Sequence, residues 1–248
     1  MRAVFLVVAL VCYTAFFAAF VYLIGFVGGF SQLPTHVDKG MAGPPALAAA
    51  IDLGLIALFG VQHSVMARPG FKAAWTRIVP QPIERSIYCL AAAGVLGILY
   101  AFWHPVAGIL WNVTNPAGRT VLWVLFGAGW AIVFISTWLI NHFDLFGLAQ
   151  VWRYWRGVEQ QPYKLSTPLF YRLVRHPLYS GFLLAFWATP TMTVGHALLA
   201  AGMTVYVLIA IRYEERDLVD YYGETYIDYR KRVGMLVPGV GKIGRAHV

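Results

Sequence analysis

Two polar clusters bracket a long apolar run in this chain. Arg175-His176-Pro177-Leu178-Tyr179-Ser180-Gly181 precedes the run, and Arg212-Tyr213-Glu214-Glu215-Arg216-Asp217 follows it. Ionisable groups at the edge of hydrocarbon are costly and gather where they serve a function. Cations, an imidazole and carboxylates at both ends of one apolar stretch therefore mark a candidate binding site. Pro177 suits the first turn of a helix, where its missing N–H costs nothing, and the free amides just beyond it attract anionic or polar ligand atoms. Taken alone, Arg175-His176-Pro177 also fits an arginine that anchors a helix at the interface, with His176 as its cap. Glu214 and Glu215 are adjacent and do not share a helix face, so one is expected to point into the site. The other would pair with Arg212 or Arg216, or face water. Leu218, Tyr222, Tyr226 and Tyr229 then form an aromatic stripe at helical spacing, which packing against a membrane face would also explain.

The elements that must position these groups follow from composition. Of 248 residues, 59% are hydrophobic and 12% charged, and the mean hydropathy is +0.64. An average soluble domain carries about 25% charged residues, so the chain reads as a membrane protein. Its net charge of +8 does not point to nucleic acid, because Lys and Arg lie in loops between apolar spans rather than in a basic stripe. Cys12 and Cys89 both fall inside apolar segments, at a spacing that excludes a cysteine-based metal motif. The first apolar run, Ala3 to Phe30, is too long for a signal-peptide core of about 7 to 15 residues and reads as a retained helix.

Further spans are expected at Leu47 to Met66, Ile87 to Leu110 and Thr120 to Ile140, each near the ~20 residues needed to cross hydrocarbon. Gly181 to Ile211 is too long for one span and slightly short for two. Its centre, Thr189-Pro190-Thr191-Met192-Thr193-Val194-Gly195-His196, marks a break. Cytoplasmic loops hold the excess of Lys and Arg. Arg2, the loop with Arg68, Lys72, Arg77 and Arg85, and the loop with Arg153, Arg156, Lys164, Arg172 and Arg175 are rich in them; the intervening loops have only Lys39 and Arg119. The C-terminal cations Arg212, Arg216, Arg230, Lys231, Arg232, Lys242 and Arg245 reach the same side only if the last run is a hairpin.

The expected architecture is thus all-α: a polytopic membrane bundle of five to six transmembrane helices, six if both arms of the hairpin cross, with the last two as that hairpin and a cytoplasmic C-terminal helix. One domain over residues 1–248 is expected, with four transmembrane helices over 3–140 and the binding region over 141–242. No repeat marks a second domain. This topology brings His63, Glu84, Arg85, His142, Asp144, Arg175 and His176 to the cytoplasmic interface, joined by Glu214 and Glu215. Asp52, His104, His36 and His196 fall on the opposite side and read as structural.

Arg175-His176-Pro177-x-Tyr179-x-Gly181, Glu214-Glu215-x-x-Leu218, Tyr222-Gly223, Tyr226 and Tyr229 resemble the C-terminal signature of the isoprenylcysteine carboxyl methyltransferase superfamily. Gln62-His63-Ser64-x-Met66-Ala67-Arg68, Glu84-Arg85-Ser86-x-Tyr88 and Asn141-His142-Phe143-Asp144-Leu145-Phe146-Gly147-Leu148 extend the resemblance, after Phe59, to bacterial methanethiol S-methyltransferases. Membrane proteins associated with denitrification genes share some of these residues. The tail Ile243 to Val248 resembles nothing in the family and is expected to be dispensable.

The resemblance implies S-adenosylmethionine as methyl donor and a small thiol as acceptor, at a bacterial inner membrane with both termini cytoplasmic. No nucleic acid, no obligatory protein partner and no metal is expected. By motif position, Arg175, His176, Tyr179, Gly181, Glu214, Glu215, Tyr222 and Tyr226 would hold the donor. His176 and Tyr179 would contact its amino-acid portion, Arg175 its carboxylate as a charged fork, and Tyr222 and Tyr226 would wall the adenine or sulfonium. A thiol reacts as its thiolate, and an unperturbed cysteine thiol has a pKa of about 8.5. His142, Asp144, His63, Arg85 and Glu84 are the groups expected around it, as a base, an orienting carboxylate and cations. Each also has a local reading, as cap or core hydrogen-bonder for the histidines and as a first-turn charge for Glu84. Two rivals remain. One is an NADPH-dependent sterol-type reductase that recruits Arg216, Arg230, Lys231 and Arg232 for a phosphate. The other is a haem- or metal-binding protein held by His63, His142 and His176, which lack a short ligand spacing.

Overall fold

A computed structural model describes residues 1–159 and 162–242; the expected dispensable tail and Arg245 lie outside the described residues. Among them the helices are α1 (Arg2–Val27), α2 (Pro45–Ala67), α3 (Pro69–Trp75), α4 (Glu84–Phe102), α5 (Pro116–Leu139), α6 (His142–Leu145), α7 (Leu148–Arg156), α8 (Pro177–Trp187), α9 (Val194–Tyr222) and α10 (Glu224–Arg232). Two short strands, β1 (Ile109–Asn112) and β2 (Thr191–Thr193), pair antiparallel. The protein is an all-α polytopic membrane protein: five helices, α1, α2, α4 with the turn before it, α5 and α9, are long and apolar enough to cross a membrane.

The hairpin break falls where Pro190 and the hydroxyl residues stand, at residues 188–193 between α8 and α9. The two arms are unequal. At about 1.5 Å per residue, the 11 residues of α8 extend about 16 Å, half of a hydrocarbon core, whereas the 29 residues of α9 extend about 43 Å. The first arm of the hairpin, expected as the fifth span, is therefore too short to cross by itself, whereas the second arm is long enough. The third span also ends earlier than expected: α4 stops at Phe102, and Leu110 lies in β1. The reason is Pro105, which disfavours helical backbone at His104 and removes a donor. The expected C-terminal helix is divided at Gly223, whose φ of 57° only glycine adopts readily, so α10 starts in a new direction.

The chain folds as two compact units. The first comprises Met1–Asn112, Asn141–Gln161 and Thr191–Gly202. Within it α4 packs on α1 and α2, and α7 on α1. The turn after α4 is buried and tied by two hydrogen bonds: Trp103 Nε1 donates to Val37 O at 2.9 Å, and the His104 amide donates to Asp52 Oδ1 at 2.9 Å. Tyr100 donates to Ala19 O at 2.9 Å, satisfying a hydroxyl that apolar surroundings would penalise. Thr193 Oγ1 donates to Asp38 Oδ1 at 2.5 Å and caps the His196 amide at 3.1 Å.

The second unit comprises Val113–Ile140, Pro162–Pro190 and Met203–Val248. Its framework is the contact of α5 with α8. A Cβ on Gly181 would lie 2.7 Å from Gly129 O, and one on Gly129 would lie 2.7 Å from Gly181 O, so both positions require glycine. Lipid supplies no hydrophobic drive between helices, and small residues permit the close contact that holds them. Trp130 packs edge-on against Phe182 with centroids 5.6 Å apart. The antiparallel course of α8 and α9 is pinned at one end by Trp187 Nε1 donating to Thr204 Oγ1 at 3.0 Å. Its other end carries the first polar cluster.

Candidate functional site

In the second unit, His176 is the residue before the first turn of α8, with Pro177 in that turn. Residues 233–241 fold back over this end: Arg175 and His176 amides donate to Gly234 O and Met235 O at 2.8 and 3.2 Å, and Ser180 Oγ donates to Leu236 O at 2.7 Å. Glu215 enters from α9. Its Oε1 accepts from Arg175 Nε at 2.7 Å and lies 3.1 Å from His176 Nε2, while Oε2 lies 3.3 Å from Arg230 Nε. Arg175, His176 and Glu215 are all buried, at 3%, 4% and 6% exposure. A carboxylate withdrawn from water this far survives because cations and an imidazole surround it.

Arg175, expected as a fork for a ligand carboxylate, donates through Nη1 to the Val233 carbonyl at 2.5 Å and through both Nη atoms to Gly241 O at 3.2 Å. Its donors thus anchor the C-terminal segment and Glu215. The adjacent carboxylate also faces α8, because Tyr179 donates to Glu214 Oε2 at 3.0 Å. Of the two outcomes expected for the second glutamate, an arginine of its own helix or water, half-exposed Glu214 keeps access to water, while the arginines beside Glu215 are Arg175 and Arg230. Residues 176 and 179 lie one turn apart and present two neighbouring groups, wide enough to meet both carboxylates. Gly181 faces α5, where its missing side chain serves helix contact.

Tyr226 and Tyr229 on α10 are buried at 2% and 5% exposure. Tyr229 donates to Tyr171 O at 2.5 Å, while the Tyr226 hydroxyl is buried without a hydrogen-bond partner. Burial pushes Tyr229 up to about 12 and raises Tyr171 and Tyr226, so these phenols remain protonated donors. Tyr222, half-exposed at the end of α9, packs edge-on against Tyr221 at 4.7 Å.

The expected acceptor-side residues lie in the first unit. Near the end of α2, His63 receives Tyr88: the hydroxyl is 2.8 Å from His63 Nε2 and 3.3 Å from its carbonyl. Arg85 lies over the Tyr88 ring at 4.8 Å and donates through Nε to Leu145 O at 2.8 Å, which ties α4 to α6. Glu84 opens α4, and its Oε1 is buried without a hydrogen-bond partner.

The Asn141 to Gly147 turn has a local cause. Asn141 adopts φ 89° and caps α6 by accepting from the Asp144 amide at 3.3 Å; Gly147, also at φ 89°, ends it. A Cβ on Gly147 would lie 2.6 Å from Ser86 N. This turn buries His142 and Asp144 at 3% and 8% exposure. The groups expected as base and orienting carboxylate meet separate side-chain partners. Asp144 is held by an ion pair with Arg153 and by Asn141 Nδ2 at 2.7 Å, while Gln150 Nε2 donates to Asp144 O at 2.8 Å. His142 Nε2 is met at 2.8 Å by the Tyr13 hydroxyl from α1. Burial lowers the His142 pKa below its ordinary value, which favours the neutral ring.

Sequence reasoning missed Tyr13, Arg153 and Arg230. Tyr13 sits within an apolar span where a tyrosine carries no signal, Arg153 read only as loop charge, and Arg230 read as topology-setting charge or, in the reductase reading, as part of a phosphate-binding cluster. Tyr88 was visible inside a motif but had no assigned partner.

Membrane-crossing helices that carry buried imidazoles, carboxylates and arginines at their ends are the build of a polytopic membrane enzyme. No family model and no solved structure matches the chain. It is 47% identical over 241 residues to a protein named methanethiol S-methyltransferase from Crocosphaera subtropica, covering 97% of this chain and 94% of that one. Its identity to a protein of the same name from Mycobacterium tuberculosis is 51% over 226 residues, or 91% and 92% of the two chains. The human protein named Nurim is 32% identical over 178 residues, 68% of this chain and 67% of its own. The chain belongs to the methanethiol S-methyltransferase family.

Proposed function

We propose that the protein transfers a methyl group from S-adenosylmethionine to methanethiol, releasing dimethyl sulfide and S-adenosylhomocysteine. The observation that carries this reading is near-half identity, over more than nine-tenths of the chain, to proteins named for that reaction. The positive loop charges support an inner-membrane protein with both termini in the cytoplasm, where the donor is made.

The residues of the second unit fit the donor. Glu214, half-buried beside the Tyr179 hydroxyl, suits its ammonium, and the unpartnered Tyr226 hydroxyl suits a ribose or carboxylate oxygen. Tyr222 and Tyr226 offer aromatic walls to a cation. Arg175, His176, Glu215 and Arg230 form the buried frame that positions these contacts, and Gly181 sets the place of α8. When bound, S-adenosylmethionine supplies an electrophilic methyl on a sulfonium.

The first unit supplies the acceptor chemistry. A thiol must lose its proton before its sulfur attacks in line. The neutral His142 ring, with the Tyr13 hydroxyl on Nε2, forms a relay in which Tyr13 takes the thiol proton and passes its own to the imidazole. A carbon–sulfur bond forms on the acceptor as the donor's methyl–sulfonium bond breaks, and the sulfonium charge disappears. Arg85, held over the Tyr88 ring whose hydroxyl meets His63, favours the thiolate, while Asp144 and Arg153 fix the turn that carries His142.

Purified chain incubated with S-adenosylmethionine and methanethiol, hydrogen sulfide, a prenylcysteine or a phospholipid amine tests the reading by headspace chromatography. Dimethyl sulfide from methanethiol is expected. Methylation of a lipid acceptor with none of methanethiol would overturn it, as would binding of NADPH without binding of S-adenosylhomocysteine.

A further inference from the structure

The helix α7 has two flanks with different partners. Gln150 and Arg153, three residues apart and so on one flank, hold Asp144 through its carbonyl and carboxylate. Val151 is fully buried and seats the helix. Trp152, Trp155 and Arg156 occupy another flank at the same three- and four-residue spacing, with Trp152 52% and Trp155 39% exposed. The two indoles lie 5.0 Å apart, and the Arg156 guanidinium lies 5.9 Å from the Trp152 ring.

The depth of α7 is set by α1, against which it packs. Arg2 begins that membrane-crossing helix and lies 5.5 Å from the Tyr154 ring, and Phe5 stacks on Tyr154 at 5.6 Å. The aliphatic side chains that follow on α1, Val4, Val7 and Val11, are each 60% exposed, as lipid-facing residues would be. Hence α7 sits where hydrocarbon gives way to headgroups. Tryptophan is favoured at that depth, and two arginines there complement anionic headgroups rather than zwitterionic ones.

We propose that the Trp152, Trp155, Arg156 and Arg2 surface is a binding site for anionic phospholipid headgroups. Occupation steadies α7, whose opposite flank holds Asp144 and the His142 turn, so the lipid acts on the first-unit cluster without touching it. The proposal stands on packing and charge and does not depend on the identity of the methyl acceptor.

The test uses the full chain, one copy per nanodisc, with bromine-labelled phosphatidylglycerol or phosphatidylcholine as quencher. The fluorescence of interest is the part lost in the Trp152→Phe/Trp155→Phe variant. With about a fivefold contribution per arginine, phosphatidylglycerol should quench it at roughly thirtyfold lower mole fraction than phosphatidylcholine. Arg2→Gln/Arg156→Gln should erase that preference, and Arg2→Lys/Arg156→Lys should keep it, which separates loss of charge from loss of fold. Equal quenching by both lipids overturns the proposal, and so does a preference that survives the double glutamine change. Shielding in neutral discs that requires two copies per disc would assign the surface to a second chain and also overturn it.

Discussion

Tyr13 meets His142 Nε2 at 2.8 Å, although 129 residues separate them. If the hydroxyl relays the thiol proton, Tyr13→Phe should lower kcat by roughly 100-fold, the lower range for positioned acid–base groups. Affinity for S-adenosylhomocysteine should stay within about twofold. Calorimetry with steady-state kinetics reads both; a weakened donor with unchanged kcat would remove Tyr13 from the chemistry.

Burial lowers the His142 pKa, and this fixes the sign of two pH effects. The acid limb of kcat/KM should fall below about 6.5, the ordinary histidine value. Between that value and the lower folded one, the unfolded chain binds the extra proton, so stability declines as pH falls through this window and is fully present above it. His142→Gln should flatten that decline in melting temperature. An acid limb above 6.5 would contradict the buried neutral ring.

Loss of the Glu215 charge and loss of the hydroxyl on Glu214 should have different effects. Glu215→Gln leaves Arg175 buried without a counter-charge, and breaking such a pair costs about 3–5 kcal/mol. A large loss of melting temperature with weakened S-adenosylhomocysteine binding is expected. Tyr179→Phe removes only the hydroxyl on Glu214, so binding should weaken by about 3- to 10-fold with little change in melting. Thermal unfolding paired with ligand titration distinguishes the two.

Close backbone contacts predict the costs at two glycines. Gly181→Leu forces α8 from α5 and should destabilise by more than the 1–3 kcal/mol typical of overpacking, while Gly181→Ala should fall near that range. Gly147→Ala combines φ 89° with a 2.6 Å approach to Ser86 N and should loosen the His142 turn. Urea unfolding measures the first pair; proteolysis within residues 141–157 reports the second.

Much of this protein is legible in its sequence because the bilayer imposes simple rules. Twenty-residue apolar runs become helices, and proline with hydroxyl residues breaks the last run near Thr191. Polar residues at helix ends were therefore identifiable as a set: Arg175, His176, Glu214 and Glu215 do converge, and so do His63 with Tyr88 and Arg85 with the α6 turn. Which groups pair was beyond the sequence. Only the tertiary structure gives Asp144 to Arg153 and His142 to Tyr13, turns Arg175 inward to Glu215 and the C-terminal carbonyls, and places Gly181 against Gly129. The physical reason is that composition and spacing set where a side chain stands along a helix, whereas its partner depends on which distant helix face packs within 3 Å of it.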